Sequence, residues 1–171
     1  EPLDRLEVAP LLRALQRSGR LHAAEVRDCL KLYRATRGAG GDVHPLVWLA
    51  ERELPDAAAA APAVLDLETL TRWLAAQLGM TYLRIDPLTI EAEAVSRVVS
   101  AAYAARHRIL PVRVDANSAC FATAYPFDRA WEGELRHVLQ RDIERVLANP
   151  LDVARYQVEL FGVGHSIRKA S

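Results

Sequence analysis

A proline-bracketed alanine run, Pro55-Asp56-Ala57-Ala58-Ala59-Ala60-Ala61-Pro62-Ala63, interrupts the chain after its first third. It offers no large apolar side chain for burial, and its prolines oppose both a continuous helix and a central strand. Folded structure has to be assembled on either side of it. The 171 residues are therefore expected to divide into a helical subdomain over 1–54, a linker over 55–63, an α/β subdomain over 64–165 and a basic tail over 166–171. The chain starts at Glu1 without methionine, and both ends read as cut, so a segment of a longer protein is expected.

Before the run, Leu6, Val8, Leu11, Leu12 and Leu15 recur at helical spacing, with Pro10 in the first turn and Gly19 as terminator. A second helix is expected over about 22–37, with Val26, Leu30 and Tyr33 on one side and Gly38, Gly40 and Gly41 closing it. A third is expected over about 43–53, with Asp42 as its N-cap and Pro45 in its first turn.

Beyond the run the texture changes. Asp66 is placed to cap an amphipathic helix over 66–78, closed by Gly79. A short strand over 82–85 precedes a helix expected over 91–107, where Ala94, Val95, Val98, Val99, Ala102 and Tyr103 repeat at helical spacing. Segments 109–114 and 119–125 flank the polar turn 115–118 and are expected to pair as a hairpin. A helix over about 128–140, a strand at 143–147 and a last helix from Asn149-Pro150 complete the series. The order implies an α+β fold, with an N-terminal helical subdomain followed by a small mixed three- or four-stranded sheet flanked by helices.

Charge and motif content exclude several chemistries. Basic and acidic residues number 22 each, so no overall field attracts nucleic acid. Arg13, Arg17, Arg20, Arg27, Arg34 and Arg37 concentrate near the start, where a helical DNA-binding module is the third reading, but Asp4, Glu7, Glu25 and Asp28 dilute them. The lysines are Lys31 and Lys169, and neither stands in a GxxxxGK[ST] loop, so this segment lacks the phosphate cradle of a P-loop enzyme. Gly162-Val163-Gly164 reads as a helix exit. Cys29 and Cys120 lie far apart and outside any CxxC pair, as buried thiols of a reducing compartment would. Glu134 and His137 have ExxH spacing without the second copy that a di-iron site needs. Ser118 and Cys120 have no recognisable base, and the acid pairs Glu91/Glu93 and Glu132/Glu134 fit helix faces. No apolar run reaches the roughly 18 residues of a membrane span.

Four elements in the second part carry a resemblance. Trp73-Leu74-Ala75-Ala76-Gln77-Leu78-Gly79-Met80-Thr81-Tyr82-Leu83-Arg84-Ile85-Asp86 is similar to an "LA-x-x-LG-x-PY-x-x-L" element. Arg108-Ile109-Leu110-Pro111-Val112 is similar to an "x-x-x-LP-[VIL]" strand, and Ala122-Thr123-Ala124-Tyr125-Pro126-Phe127-Asp128 to a "VA-x-x-[DN]-P-x-D" element. Tyr156-Gln157-Val158-Glu159-Leu160-Phe161-Gly162 resembles an "I-x-x-[YF][YF]G" helix. In order and spacing, residues 64–168 resemble the N-terminal domain of the type II secretion and type IV pilus assembly ATPases. The first part resembles the helical repeat that often precedes that domain, through Leu11-Leu12-Arg13-Ala14-Leu15, Gly19-Arg20-Leu21, Val26 and Leu30, with a weaker second copy at 46–54.

The resemblance implies a non-catalytic adaptor that docks the motor onto the cytoplasmic domain of an inner-membrane platform protein. It also implies a cytoplasmic location peripheral to the bacterial inner membrane, hexamer formation through a catalytic domain outside this segment, and ATP and magnesium held only there. No nucleic-acid partner and no direct membrane contact are expected. Leu11, Leu12, Leu15 and Leu21 are the candidate partner-binding residues, as apolar side chains left over once a small core is filled. The alternative is a cyclic di-GMP-sensing module. Relatives that bind the dinucleotide use an Arg-Leu-Gly where this chain has Pro10-Leu11-Leu12, and Glu53 stands where the second copy has glycine.

Overall fold

The computed structural model describes residues 2–36 and 42–169, excepting the side chains of 163–169. The chain forms two compact units, Glu1–Leu78 and Gly79–Ser171. The first comprises α1 (Val8–Arg17), α2 (Ala23–Thr36), α3 (Pro45–Ala50) and α4 (Leu67–Leu78). Leu11, Leu12 and Leu15 of α1 have no exposed surface, nor have Leu70 and Leu74 of α4, and Leu46 of α3 is equally buried at 1%. Glycine ends α1 as the sequence implies. Gly19 takes φ +73°, and across it the Arg20 N–H donates to the Leu15 carbonyl at 2.9 Å. Asp66 caps α4, its Oδ1 accepting from the Thr69 N–H at 2.7 Å.

The division between units falls after Leu78 rather than at 55–63. The physical reason lies in α4, which buries Leu70, Trp73 and Leu74 in the first unit and donates the Trp73 indole N–H to Ser18 Oγ at 3.0 Å. The alanine run is a folded turn inside that unit. Pro55 and Val64 form an antiparallel bridge, Asp56 N–H donates to the Ala63 carbonyl at 2.9 Å, and Arg20 pairs with Asp56 at 2.5 Å. The third helix is also shorter than expected. Its cap is His44, whose Nδ1 accepts from the Leu46 N–H at 3.2 Å, and not Asp42. The glycines at 38–41 lie outside the described residues.

The second unit holds a mixed sheet in the order β1 (Ile109–Val114), β2 (Ser118–Thr123) and β3 (Asp142–Leu147). β1 and β2 pair antiparallel as the expected hairpin, with a bulge between Pro111 and Arg113, and β3 runs parallel to β2. The parallel pair needs a crossover, supplied by α7 (Ala130–Leu139). α5 (Ala92–Ser96), α6 (Ala101–His107) and α8 (Pro150–Lys169) complete the unit. Alternation along the strands sends Ile109, Ala119 and Phe121 to a cluster with Trp131 and Leu135 of α7. Leu110 and Ala122 go to a second cluster with Val153 of α8.

Three local expectations change. The helix over 91–107 is broken into α5 and α6 because Ser100 leaves the helical path to accept from the Tyr103 N–H at 3.1 Å. The strand at 82–85 is reduced to one parallel bridge, Tyr82 to Leu147. The last helix runs to Lys169, so 166–169 are helical and Gly162 lies within the helix; Ala170 and Ser171 lie outside the described residues.

Candidate docking surfaces

Leu11, Leu12 and Leu15 are fully buried, and Leu21 is 2% exposed. Helical spacing put Leu11, Leu12 and Leu15 on one face of α1, but that face is the core of the first unit, and Leu21, in the turn between α1 and α2, is buried as well. This corrects the expectation that they contact a partner, since a partner could reach them only by opening the unit.

Among the described residues, each unit carries a surface cleft. In the first unit, a cavity of about 270 Å³ lies between the segment before α1 and α1 itself. Arg13 and Arg17, four residues apart on the exposed side of α1, line it with Arg5, Asp4 and Glu7. Arg5 pairs with Asp4 at 3.3 Å, so part of the positive charge is answered internally. In the second unit, a cavity of about 370 Å³ is lined by Leu83, Ile85, Ile90, Val112, Cys120 and Val146, with Asp86 and Arg113 exposed beside them. Arg113 pairs with Glu144 at 2.5 Å.

Neither cysteine is set up as a nucleophile. Burial pushes both the Cys29 and Cys120 thiols up from their ordinary value, the reverse of what thiolate chemistry requires. Glu134 of the ExxH pair accepts from the Tyr103 hydroxyl at 3.0 Å. Burial, then that bond to a carboxylate, push the Tyr103 phenol up to about 12. Among the described residues, no group of three or more His, Cys, Asp or Glu side chains could hold a metal ion. No described helix is long and apolar enough to cross a membrane.

A largely buried ion pair in the second unit went unrecognised in the sequence. Glu132 and Arg145, with side chains 11% and 13% exposed, pair at 2.6 Å between α7 and β3. Arg129 also donates to Glu132 at 2.9 Å, and Arg145 donates to the Pro126 carbonyl at 2.7 Å. Glu132 was visible as a member of an acid pair, but its partner lies thirteen positions on and on another element, beyond the reach of local spacing. The group joins α7, β3 and the turn after β2.

The model of the MshEN domain matches residues 78–167, which is the second unit almost in full. Among curated proteins, the type IV pilus assembly ATPase TfpB of Acinetobacter baylyi is 33% identical over 128 residues, a match covering 74% of this chain and 22% of that protein. A solved structure of MshE with cdg has the same fold, with a TM-score of 0.58 and 20% identity over 88% of this chain and 97% of that one.

Proposed function

Because the chain belongs to the MshEN domain family, whose model it matches over residues 78–167, we propose that it is the non-catalytic N-terminal module of a type IV pilus or type II secretion assembly ATPase. In this reading it docks the motor onto the cytoplasmic part of an inner-membrane platform protein. The observation that carries it is the similarity to a pilus assembly ATPase over a stretch amounting to 22% of that protein, the size of one module of a larger machine. The motif content agrees, since neither lysine stands in a phosphate-cradling loop. ATP and magnesium are assigned to the rest of such an ATPase, as is hexamer formation.

The test is calorimetric titration of the chain with the purified cytoplasmic domain of the inner-membrane platform protein of the same pilus or secretion system. Saturable one-to-one binding is expected. Flat heats together with separate elution on gel filtration would remove the docking reading.

The cavity at the start of α1 favours a second reading, because Arg13 and Arg17 line it beside Pro10, the position where dinucleotide-binding relatives carry their arginine. Here the module would sense cyclic di-GMP. Titration with the dinucleotide at micromolar concentration tests it, and loss of the heat in the Arg13→Ala, Arg17→Ala double variant would place the ligand in that cavity.

A further inference from the structure

We infer that the solvent face of α2, carrying Arg27, Lys31 and Arg34, is an interaction surface for an acidic segment of the platform protein; the inference rests on the docking reading above. The three residues stand at i, i+4 and i+7, so they form one stripe along the helix, about 10 Å long at the helical rise. All three are exposed.

What sets them apart is that three unpaired cations share one line on one helix; the other exposed helical arginines without an ion pair, Arg13, Arg106 and Arg136, stand on separate helices, and the remaining described ones have partners. α4 pairs Arg72 with Glu68 at 3.3 Å, α8 pairs Arg155 with Glu159 at 3.0 Å, and Arg129, just before α7, pairs with Glu132 at 2.9 Å. α5 is followed by the pair of Arg97 with Glu93. Among the described residues, Arg27, Lys31 and Arg34 make no ion pair or side-chain hydrogen bond. The acids of α2 leave the stripe unanswered. Glu25 turns back to accept from the His22 N–H at 2.9 Å, and Asp28 lies a step round the helix. Flanking the stripe, Ala23, Ala24 and Ala35 are exposed and Leu30 is half-buried, so the relief is low and a partner backbone can come close.

The size of the stripe selects the kind of partner. A protein held on duplex DNA by phosphate contacts commonly uses about 6–10 of them, and three cations fall well short. The face has no aromatic side chain to stack on a base and no exposed bulky apolar one to enter a lipid interface, Leu30 at its border being half-buried. Leu32, 42% exposed, lies off the stripe. A short run of aspartate and glutamate on a protein surface matches three cations in a line.

The experiment titrates the chain against the platform protein's cytoplasmic domain at about 50 mM and about 300 mM salt, which spans strong to weak screening. It is repeated with R27E/K31E/R34E and with R27A/K31A/R34A. The alanine variant raises helix propensity, so it stays folded if the reversed one does not, and circular dichroism checks both. Reversal is expected to weaken binding by about ten- to a hundredfold at low salt and to flatten its salt dependence, with the alanine variant between. Wild-type binding that both variants retain, with the same salt slope, would overturn the surface and leave docking intact. No binding by the wild-type chain would remove docking and the surface together. Wild-type binding to phosphatidylserine vesicles or duplex DNA that the platform domain fails to displace would reassign the stripe to that partner.

Discussion

Removing Glu132 should loosen the second unit far more than removing Glu132 and Arg145 together. Arg145 sits with its side chain 13% exposed, and it keeps its charge because guanidinium gives up its proton only at very high pH. Burial pulls its pKa down, and Glu132 works against that pull. In Glu132→Ala the guanidinium would retain the Pro126 carbonyl and lose its counter-charge at 2.6 Å. An uncompensated buried charge of this kind costs about 3–5 kcal/mol. Arg129 tempers the figure little, since it is 64% exposed and returns to water once Glu132 is gone. We take about 3 kcal/mol, at the lower end of that range because neither member is fully dry. The double variant Glu132→Leu, Arg145→Met exchanges the pair for apolar groups of similar volume and should lie within about 1 kcal/mol of wild type. Amide hydrogen exchange read by mass spectrometry separates the two units, which a global melt would blend. In the single variant, amides of α7 and β3 should exchange about a hundredfold faster, while those of α1 and α4 stay unchanged. A single variant that matches the double, or a double as loose as the single, would refute the claim that the unpaired charge sets the cost.

Other consequences are as direct. Leu15→Ala should destabilise the first unit by about 2–5 kcal/mol in urea titration, the signature of a core leucine and not of a docking residue. Gly79 has φ +62° and open space where a Cβ would stand, so Gly79→Ala should cost about 1–2 kcal/mol from conformation alone, seen as a lower urea midpoint with native circular dichroism. The backbone N–H of Thr69, followed by its hydroxyl, holds the Asp66 carboxyl below its ordinary value of 3.8. Its contribution to α4 is therefore complete above that pH and lost as pH falls through the lower native value, so an acid titration of Asp66→Asn should be shallower than that of wild type in this range.

The features readable from sequence were those set within a few residues. Asp66 and Asn149 announced their helices because an N-cap oxygen reaches a backbone N–H two or three positions on. The leucines of α1 gave their face by spacing, and the 109–125 hairpin by its polar turn. Spacing does not say whether an apolar face is covered, so the same pattern allowed Leu11, Leu12, Leu15 and Leu21 to be read as a docking surface. Features set across distance stayed hidden. The turn at 55–63 is held by Arg20, some thirty-six positions earlier, and composition alone made it look like a tether. Ser100 competes for its own backbone more strongly than the Val98-Val99 periodicity could suggest, and that splits a helix. Of the surface proposed for docking, Arg27 and Arg34 were visible as arginines. What marks them out with Lys31, a line of cations without partners, exists only once every neighbouring side chain has been placed.

The single bridge of Tyr82 to Leu147 has a mechanical consequence. Leu83 N–H donates to the Leu147 carbonyl and Leu147 N–H to the Thr81 carbonyl, both at 2.8 Å. The two backbones run parallel there. Tension drawing the chain before Thr81 one way and the chain after Leu147 the other would pull these strands past each other along their axes. Both hydrogen bonds would then carry the load at once, in shear, and could not be unzipped in turn. The force path would run from residue 81 to residue 147 across this clasp, leaving the β1–β2 hairpin and its clusters outside it. A second unit clasped in this way could transmit a pull from one end of its chain to the other without spending it on its own unfolding.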